Sequence, residues 1–170
     1  MDTILETERL VLGTLTPEDE AFILDLLNQP SFLRFIGDRG VRTRADARAY
    51  IQNGPLQSYA RHGFGLYRVA LKGGASPIGI CGLLKRDSLE HPDLGFAFLP
   101  AYWSKGYASE AARAVLGFAR ETLGLHRILA ITSVENEASM ALLRKLGFHF
   151  ERRARATDGG PPVNVFAFDL

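Results

Sequence analysis

The stretch LGFAFLPAYWSKGYASEA, residues Leu94 to Ala111, joins a predicted strand to a predicted helix through an unusual entry. Alternating apolar side chains predict a strand that Pro100 ends, and the helical spacing of Ala, Val, Leu and Phe predicts a helix that closes near Gly124. Between them lie small residues and one positive charge, Ser104 to Gly106. The unpaired N–H groups at a helix N-terminus bind anions, so this entry suits a phosphate. A simple turn with Ser104 as the helix cap explains the same residues.

The chain upstream of this stretch predicts a strand, two helices and a hairpin. The first helix begins at the cap Thr16 and ends before Pro30. The second helix begins at the cap Thr43 and is stopped by Gly54 and Pro55. The tetrapeptide GGAS, residues 73–76, predicts the hairpin turn. The strands predicted up to this point are Arg9–Leu15, Phe64–Lys72, Pro77–Arg86 and Asp93–Leu99.

Downstream, the prediction is a strand, a helix and two further strands. The helix follows Asn136 and is closed by Gly147 as its C-terminal cap, and a turn at Asp158 to Gly160 separates the last two strands. These strands are Arg127–Val134, Phe148–Ala156 and Val163–Leu170. Strands without intervening helices imply antiparallel pairs. The sequence therefore predicts an α/β (α+β) fold, a single domain over residues 1–170 with a mixed, mostly antiparallel sheet of about seven strands and about four helices.

The composition is that of a globular domain without a strong charge. The 20 Lys and Arg residues against 19 Asp and Glu residues give a formal net charge of +1, which disfavours a nucleic-acid groove and a polybasic membrane surface. No apolar run approaches the roughly 18 residues of a membrane span, and the acidic start is unlike a signal peptide. We therefore expect a cytoplasmic protein whose partners are neither nucleic acid nor membrane.

Cysteine and histidine usage argues against a disulfide and against a metal site. Cys81 is the single cysteine and lies in the apolar run PIGICGLL, which predicts a buried, reduced thiol rather than a nucleophile. The histidines show no spacing typical of metal ligands, so no metal is expected. They are His62, His91, His126 and His149.

Together with NEASMALLRKLGF (residues 136–148), the opening stretch resembles the GNAT superfamily of N-acetyltransferases, in particular its ribosomal-protein N-terminal acetyltransferase branch. TERLVL (7–12) and RTRADARAYI (42–51) match the usual opening of that branch, so the resemblance covers nearly the whole chain. It implies the GNAT acyl-CoA N-acyltransferase fold. It also implies transfer of the acetyl group of acetyl-CoA, as a cosubstrate, to a primary amine by direct attack in a ternary complex. A monomer or a homodimer is expected.

The resemblance also implies which residues bind the coenzyme. The (Q/R)xxGx(G/A) loop of the family falls on Trp103, Gly106 and Ala108, with Trp103 departing from Gln or Arg. The amides of residues 104–109 would hold the pyrophosphate, the edge of strand 96–98 would pair with the pantetheine arm, and Asn136 would bond to it. The coenzyme residues expected in this way are Phe96, Ala97, Phe98, Ser104, Lys105, Gly106, Tyr107, Ala108, Ser109 and Asn136.

The catalytic residues are expected to be Ser139 and Asp93. Many family members have a Tyr as general acid where this chain has Leu143, and Ser139 matches the position used in the ribosomal-protein branch. We expect Ser139 to donate a hydrogen bond or a proton to the sulfur, and Asp93 to deprotonate the amine through water. A small packing residue and a surface carboxylate are the simpler interpretations of these two. Glu135 is a weaker candidate base.

The sequence does not identify the acceptor, and it is compatible with other functions. In this fold the first two helices and the last hairpin line the acceptor groove, here PSFLRFIGDRG (30–40) and ATDGGPPV (156–163). Phe32 and Phe35 with Asp38 would take an amine there, although loop aromatics more often pack. The acceptor is a protein N-terminus or a small-molecule amine, including an antibiotic. A non-catalytic acyl-CoA sensor and an enzyme that uses a longer acyl donor are the alternatives.

Overall fold

A single eight-stranded sheet forms the centre of the protein in a computed structural model that describes residues 1–155 and 159–170. The strands lie in the order β1-β2-β3-β4-β5-β6-β8-β7, and β5 and β6 are the one parallel pair in the described sheet. The predicted mixed, mostly antiparallel sheet is therefore confirmed. The strands are β1 Thr3–Glu6, β2 Leu10–Thr14, β3 Leu66–Leu71, β4 Pro77–Leu84, β5 Asp93–Phe98, β6 Arg127–Ser133, β7 His149–Ala154 and β8 Val163–Asp169.

Six α-helices are described, two more than the sequence predicts. They are α1 Glu20–Leu27, α2 Pro30–Phe35, α3 Arg44–Asn53, α4 Pro55–His62, α5 Tyr107–Glu121 and α6 Glu137–Leu146. Short 3₁₀ turns at Pro17–Asp19 and Pro100–Tyr102 precede α1 and α5. The helix α3 runs over the predicted residues because both of its ends carry strong signals. The N–H of Asp46 donates to Thr43 Oγ1 at 3.0 Å in a capping box, and Gly54 follows the last turn.

The two additional helices begin at prolines that were expected only to end the helices before them. Pro30 is the first residue of α2 and Pro55 is the first residue of α4. Proline fits the first helical position because its φ is already helical and no N–H is needed there. The prediction that Pro30 closes the segment was therefore incomplete, and the short strand β1 was missed as well. The predicted turn at 158–160 and the end of the strand predicted up to Ala156 lie partly outside the described residues.

Helices cover both faces of the sheet. One face packs against α5 and α6 through a core that includes Val115, Ile128 and Phe166, all fully buried. The other face packs against α1 and α3 through a core that includes Ile23 and Ile51. Cys81 is also fully buried, as predicted, and burial raises the pKa of its thiol well above the ordinary value.

Candidate functional site

The sheet opens between its two parallel strands. Asp93 and Leu129 are the one residue pair that β5 and β6 form, next to a hydrogen bond from the Leu129 N–H to the Pro92 carbonyl at 2.9 Å. Beyond this point the strands separate, so residues 96–98 of β5 have β4 on one side and no described strand on the other. The result is a gap in the middle of the sheet, with a free strand edge along one wall.

The free edge of β5 presents backbone donors and acceptors to this gap. The Leu99 N–H donates to the Ile78 carbonyl of the β4 side at 2.9 Å. Because antiparallel hydrogen bonds alternate along a strand, the polar groups of Phe96 and Phe98 face away from β4. The indole N–H of Trp103 donates to the Phe98 carbonyl at 2.8 Å. The Phe96 N–H and C=O and the Phe98 N–H therefore remain for a ligand.

The entry to α5 supplies a second set of backbone donors. Gly106 caps the helix with a φ of +83°, and Ser104 also has a positive φ of +59°. The first hydrogen bond within the helix runs from the Glu110 N–H to the Gly106 carbonyl at 3.0 Å. The N–H groups of residues 104–109 consequently donate to no described residue. This arrangement is suited to an anion with several oxygens.

Arg9 fixes this entry from the neighbouring strand region. Its Nη1 donates to the Lys105 carbonyl at 2.9 Å, and its Nε donates to Glu110 Oε1 at 2.7 Å. Its guanidinium also lies over the ring of Tyr107, 4.5 Å from the centroid. Arg9 therefore holds the loop and the first turn of α5 in place from one side. This role of Arg9 was not predicted from the sequence. The signal that could have revealed it was the arginine within the TERLVL segment.

Nine of the ten residues predicted to bind the coenzyme line one groove, here called the α5 cavity, with a volume of about 430 Å³. The exception is Lys105, whose exposed side chain does not belong to the lining. Much of the remaining wall comes from Leu142 and Lys145 of α6 and from Ser31, Phe32, Phe35 and Ile36 of the α2 region. The nine are Phe96, Ala97, Phe98, Ser104, Gly106, Tyr107, Ala108, Ser109 and Asn136.

A second cavity of about 590 Å³ meets the α5 cavity in the gap between β5 and β6. We call it the arginine cavity because four arginines, at positions 39, 86, 152 and 155, belong to its lining. Residues that line both cavities mark the junction. They are Phe32, Phe35, Ile36, Phe96, Ala97, Asn136 and Ser139. The two cavities thus form one path through the sheet.

Asn136 and Ser139 lie at this junction, at the start of α6. Asn136 Oδ1 accepts a hydrogen bond from the Ser139 N–H at 3.2 Å and caps the helix. Its Nδ2 group and the Ser139 hydroxyl donate to no described residue. Asn136 therefore combines the helix cap and an available donor, the two roles that the sequence allowed. Leu143, at the position of the family Tyr, is 1% exposed and packs in the core.

Asp93 is buried at the floor of the arginine cavity. Its side chain is 1% exposed, and Arg86 Nε lies 3.1 Å from Oδ1 and 3.3 Å from Oδ2. The simpler interpretation of Asp93 as a surface carboxylate is therefore wrong. Burial raises the pKa of Asp93, and the charge of Arg86 partly offsets this effect. A carboxylate with a raised pKa is a better base than an exposed one.

The pH dependence of stability tests this burial. Because the pKa of Asp93 is raised in the folded state, its contribution to the free energy of unfolding is fully present below the unfolded pKa and is lost as the pH rises through the folded pKa. We expect Asp93→Asn to gain stability relative to the wild type as the pH rises from 3 to 8, measured by urea unfolding at each pH. Asp87→Asn removes the same charge from an exposed position nearby and is the control. A difference that stays constant with pH would contradict the burial penalty.

The other candidates from the sequence are divided between the site and the surface. Phe32 and Phe35 line both cavities. Glu135 is exposed outside both linings, with Oε2 3.9 Å from Arg34 Nη2, and Asp38 also lies outside them, where it pairs with Arg42. Of the expected hairpin segment, Val163 lines the arginine cavity, and residues 156–158 lie outside the described part of the chain.

Within residues 1–155 and 159–170, no group of three His, Cys, Asp or Glu side chains is arranged to hold a metal ion. No helix in the same part of the chain is long and apolar enough to cross a membrane.

Comparison with known proteins gives one family and one fold. The family model described as an acetyltransferase (GNAT) domain matches residues 9–149. The chain is 31% identical to the uncharacterized N-acetyltransferase YoaA of Bacillus subtilis (strain 168), over 98% of this chain and 97% of that protein.

Solved structures share the architecture. The acetyltransferase from Agrobacterium tumefaciens str. C58 has a TM-score of 0.83 and 24% identity, covering 100% of this chain and 95% of that one. RimL, a ribosomal L7/L12 alpha-N-protein acetyltransferase in complex with coenzyme A, also has a TM-score of 0.83, with 16% identity over 99% and 98% of the two chains. At these identities the likeness establishes the fold alone.

Proposed function

The chain belongs to the GNAT acetyltransferase family, as its sequence motifs predicted, and on this premise we propose that it transfers the acetyl group of acetyl-CoA to a primary amine. One observation carries the proposal. The free edge of β5 and the unpartnered amides of residues 104–109 line the same cavity, and Ser139 also belongs to its lining. A ligand with a peptide-like arm and a pyrophosphate matches both sets of groups.

The residues of the α5 cavity fit such a donor. The N–H groups of residues 104–109 would bind the pyrophosphate, which a side chain at Gly106 would obstruct. The Phe96 N–H and C=O would pair with the pantetheine arm as a neighbouring strand does. Asn136 Nδ2 would bond to the same arm while Oδ1 keeps its place in the helix cap. Lys145 supplies a positive charge to the wall of the cavity.

We assign the chemistry to Asp93, in the arginine cavity, and to Ser139, at the junction of the two cavities. The amine must be neutral to attack, and an α-amine with a pKa of ~7.7–8.0 loses its proton far more readily than a lysine at ~10.4. Asp93 would take this proton through a water molecule. The amine nitrogen then bonds to the acetyl carbon, the carbon–sulfur bond breaks, and the Ser139 hydroxyl would donate to the departing thiolate. A thiol pKa of ~8.5 makes this last requirement modest.

We further propose that residues 1–170 act as one domain in the cytoplasm, as a monomer or a homodimer. In support, the segments near both ends of the chain, β1 and β8, belong to the same sheet. The acceptor is an amine on a protein N-terminus or on a small molecule.

Acetyl-CoA should raise the melting temperature, because a ligand that binds only the native state stabilises it. At ~100 times the dissociation constant the gain is ~2.7 kcal/mol, which for a chain of this size corresponds to about 5–10 °C. Differential scanning fluorimetry with desulfo- and free coenzyme A, acetyl-CoA and longer acyl-CoAs measures this and ranks the donors. Thiol release with a panel of amines separates an enzyme from a sensor. Absence of any shift at millimolar acetyl-CoA would remove the donor assignment.

A further inference from the structure

The arginine cavity concentrates positive charge beside the proposed transfer centre. Four arginines belong to its described lining, while its one described carboxylate, Asp93, is already paired with Arg86. The whole chain carries a formal net charge of only +1, so this excess is local. The cavity wall also contains Tyr50, whose pKa burial raises and the charges of Arg39 and Arg86 lower.

Three of the four arginines have guanidinium N–H donors that are available to a ligand. Arg39 and Arg155 form no ion pair with a described residue. Arg152 pairs with Glu151 on β7, but its side chain is 50% exposed and Glu151 is not part of the lining. Exposed ion pairs contribute little and exchange readily for a better partner. A ligand in the cavity therefore meets guanidinium groups that are available for binding.

This charge selects against an acceptor that carries only an amine. An ammonium group would be repelled by the arginines, and the same repulsion lowers the pKa of an amine bound among them. A guanidinium group, in contrast, binds a carboxylate with two parallel hydrogen bonds. An acceptor with a carboxylate near its amine would thus be attracted to the cavity and would keep its amine neutral for attack.

We propose that the acceptor carries a carboxylate close to the reacting amine, as a free amino acid and the N-terminus of an acidic peptide both do. This inference rests on the proposed function and names the chemical class of its acceptor. The volume of about 590 Å³ lies within the range of small-ligand sites and admits both sources. Arg39, Arg152 and Arg155 bind the carboxylate, while Arg86 remains with Asp93.

Matched acceptors test the charge requirement. The peptides are amidated Ala-Glu-Glu-Ala, Ala-Gln-Gln-Ala and Ala-Lys-Lys-Ala, and free glutamate is compared with the diamide of the same amino acid. Turnover is followed as thiol release from acetyl-CoA. We expect kcat/KM to be at least about tenfold higher for the acidic member than for its neutral counterpart, and this ratio to shrink as salt is added. The acidic acceptor with the higher kcat/KM, the Ala-Glu-Glu-Ala peptide or free glutamate, shows whether the carboxylate belongs to a peptide or to a free amino acid.

Arginine variants test whether the cavity causes the preference. In the double variant Arg39→Gln with Arg152→Gln, the ratio of acidic to neutral turnover should fall to about one, mainly through a KM about tenfold higher for the acidic acceptor. Arg120→Gln changes an exposed arginine of α5 outside both cavities and should keep the preference. A preference that survives the double variant overturns the proposal.

The rise in melting temperature with acetyl-CoA, measured on the same samples, separates failure of the proposed function from failure of the inference about the acceptor. Without stabilisation, the proposed function itself fails. With stabilisation, equal turnover of acidic and neutral acceptors overturns this inference alone. Stabilised protein that acetylates none of the acidic acceptors overturns it as well.

Discussion

Gly106→Val should weaken acetyl-CoA binding at least about 100-fold while the protein still folds. A β-branched residue is a strong outlier at the φ of +83° that Gly106 adopts, and its Cβ would lie 3.2 Å from Arg9 Nη2. The turn would shift or strain, and the amides of residues 104–109 would no longer point at one phosphate site. Hydrogen bonds to charged groups contribute ~1.5–3 kcal/mol each, so losing two of them weakens binding at least about 100-fold. Isothermal titration with acetyl-CoA measures the loss.

The other end of α5 provides a matched control. Gly124 also has a positive φ, +65°, and apart from its chain neighbours no described residue has a heavy atom within 4 Å of the position of its Cβ. Gly124→Val therefore carries a comparable backbone strain of ~1–3 kcal/mol without touching the cavity. Both variants should lose similar stability in urea, and only Gly106→Val should lose the coenzyme. Normal binding by Gly106→Val would show that the loop is a turn and nothing more.

Ser139→Ala should lower kcat by up to about 100-fold and leave the KM for acetyl-CoA nearly unchanged. General acid catalysis is typically worth ~10²–10⁴-fold, and the low pKa of a thiol places this case at the bottom of that range or below it. Alanine keeps the helix, because the cap on α6 uses the backbone N–H of Ser139 and not its hydroxyl. An interaction that acts only in the transition state lowers kcat and kcat/KM equally.

Ser109→Ala is the matched hydroxyl deletion. The Ser109 hydroxyl accepts a hydrogen bond from Arg113 Nη1 at 2.8 Å and belongs to the α5 cavity but not to the junction with the arginine cavity. Its loss should leave kcat unchanged, and any effect should be confined to the KM for acetyl-CoA. Steady-state kinetics with a saturating amine measure both variants. An unchanged kcat in Ser139→Ala would leave that residue with a packing role.

Local signals in the sequence account for most of the fold. The helix α6 was predicted over its observed length because Asn136 caps one end and Gly147, with a φ of +106°, caps the other. The helices α2 and α4 were missed because a proline is compatible with the end of one helix and with the start of the next. A four-residue strand such as β1 is stabilised by its pairing with β2, which no local pattern reveals.

Of the candidate site, the coenzyme residues could be predicted from the sequence, whereas the arginine cavity could not. The coenzyme residues lie in two short segments with a recognisable spacing, and nine of the ten line one cavity. The arginine cavity draws its charges from positions between Arg39 and Arg155, which only the strand order brings together. The ion pair between Asp93 and Arg86 likewise depends on the turn after β4 and on burial. Such a charge cluster cannot be recognised before the topology is known.

The gap between β5 and β6 poses a problem that the fold also solves. An open strand edge in a sheet is a template for pairing with other chains, and therefore for aggregation. Here the open edge is only three residues long, residues 96–98, and Trp103 already occupies its last carbonyl. Phe32 and Phe35 of α2 stand in the same cavity wall. A slender peptide-like arm, such as that of the proposed donor, can therefore lie along β5, whereas a second sheet cannot. The open edge of β5 thus stays available to a ligand without acting as a template for aggregation.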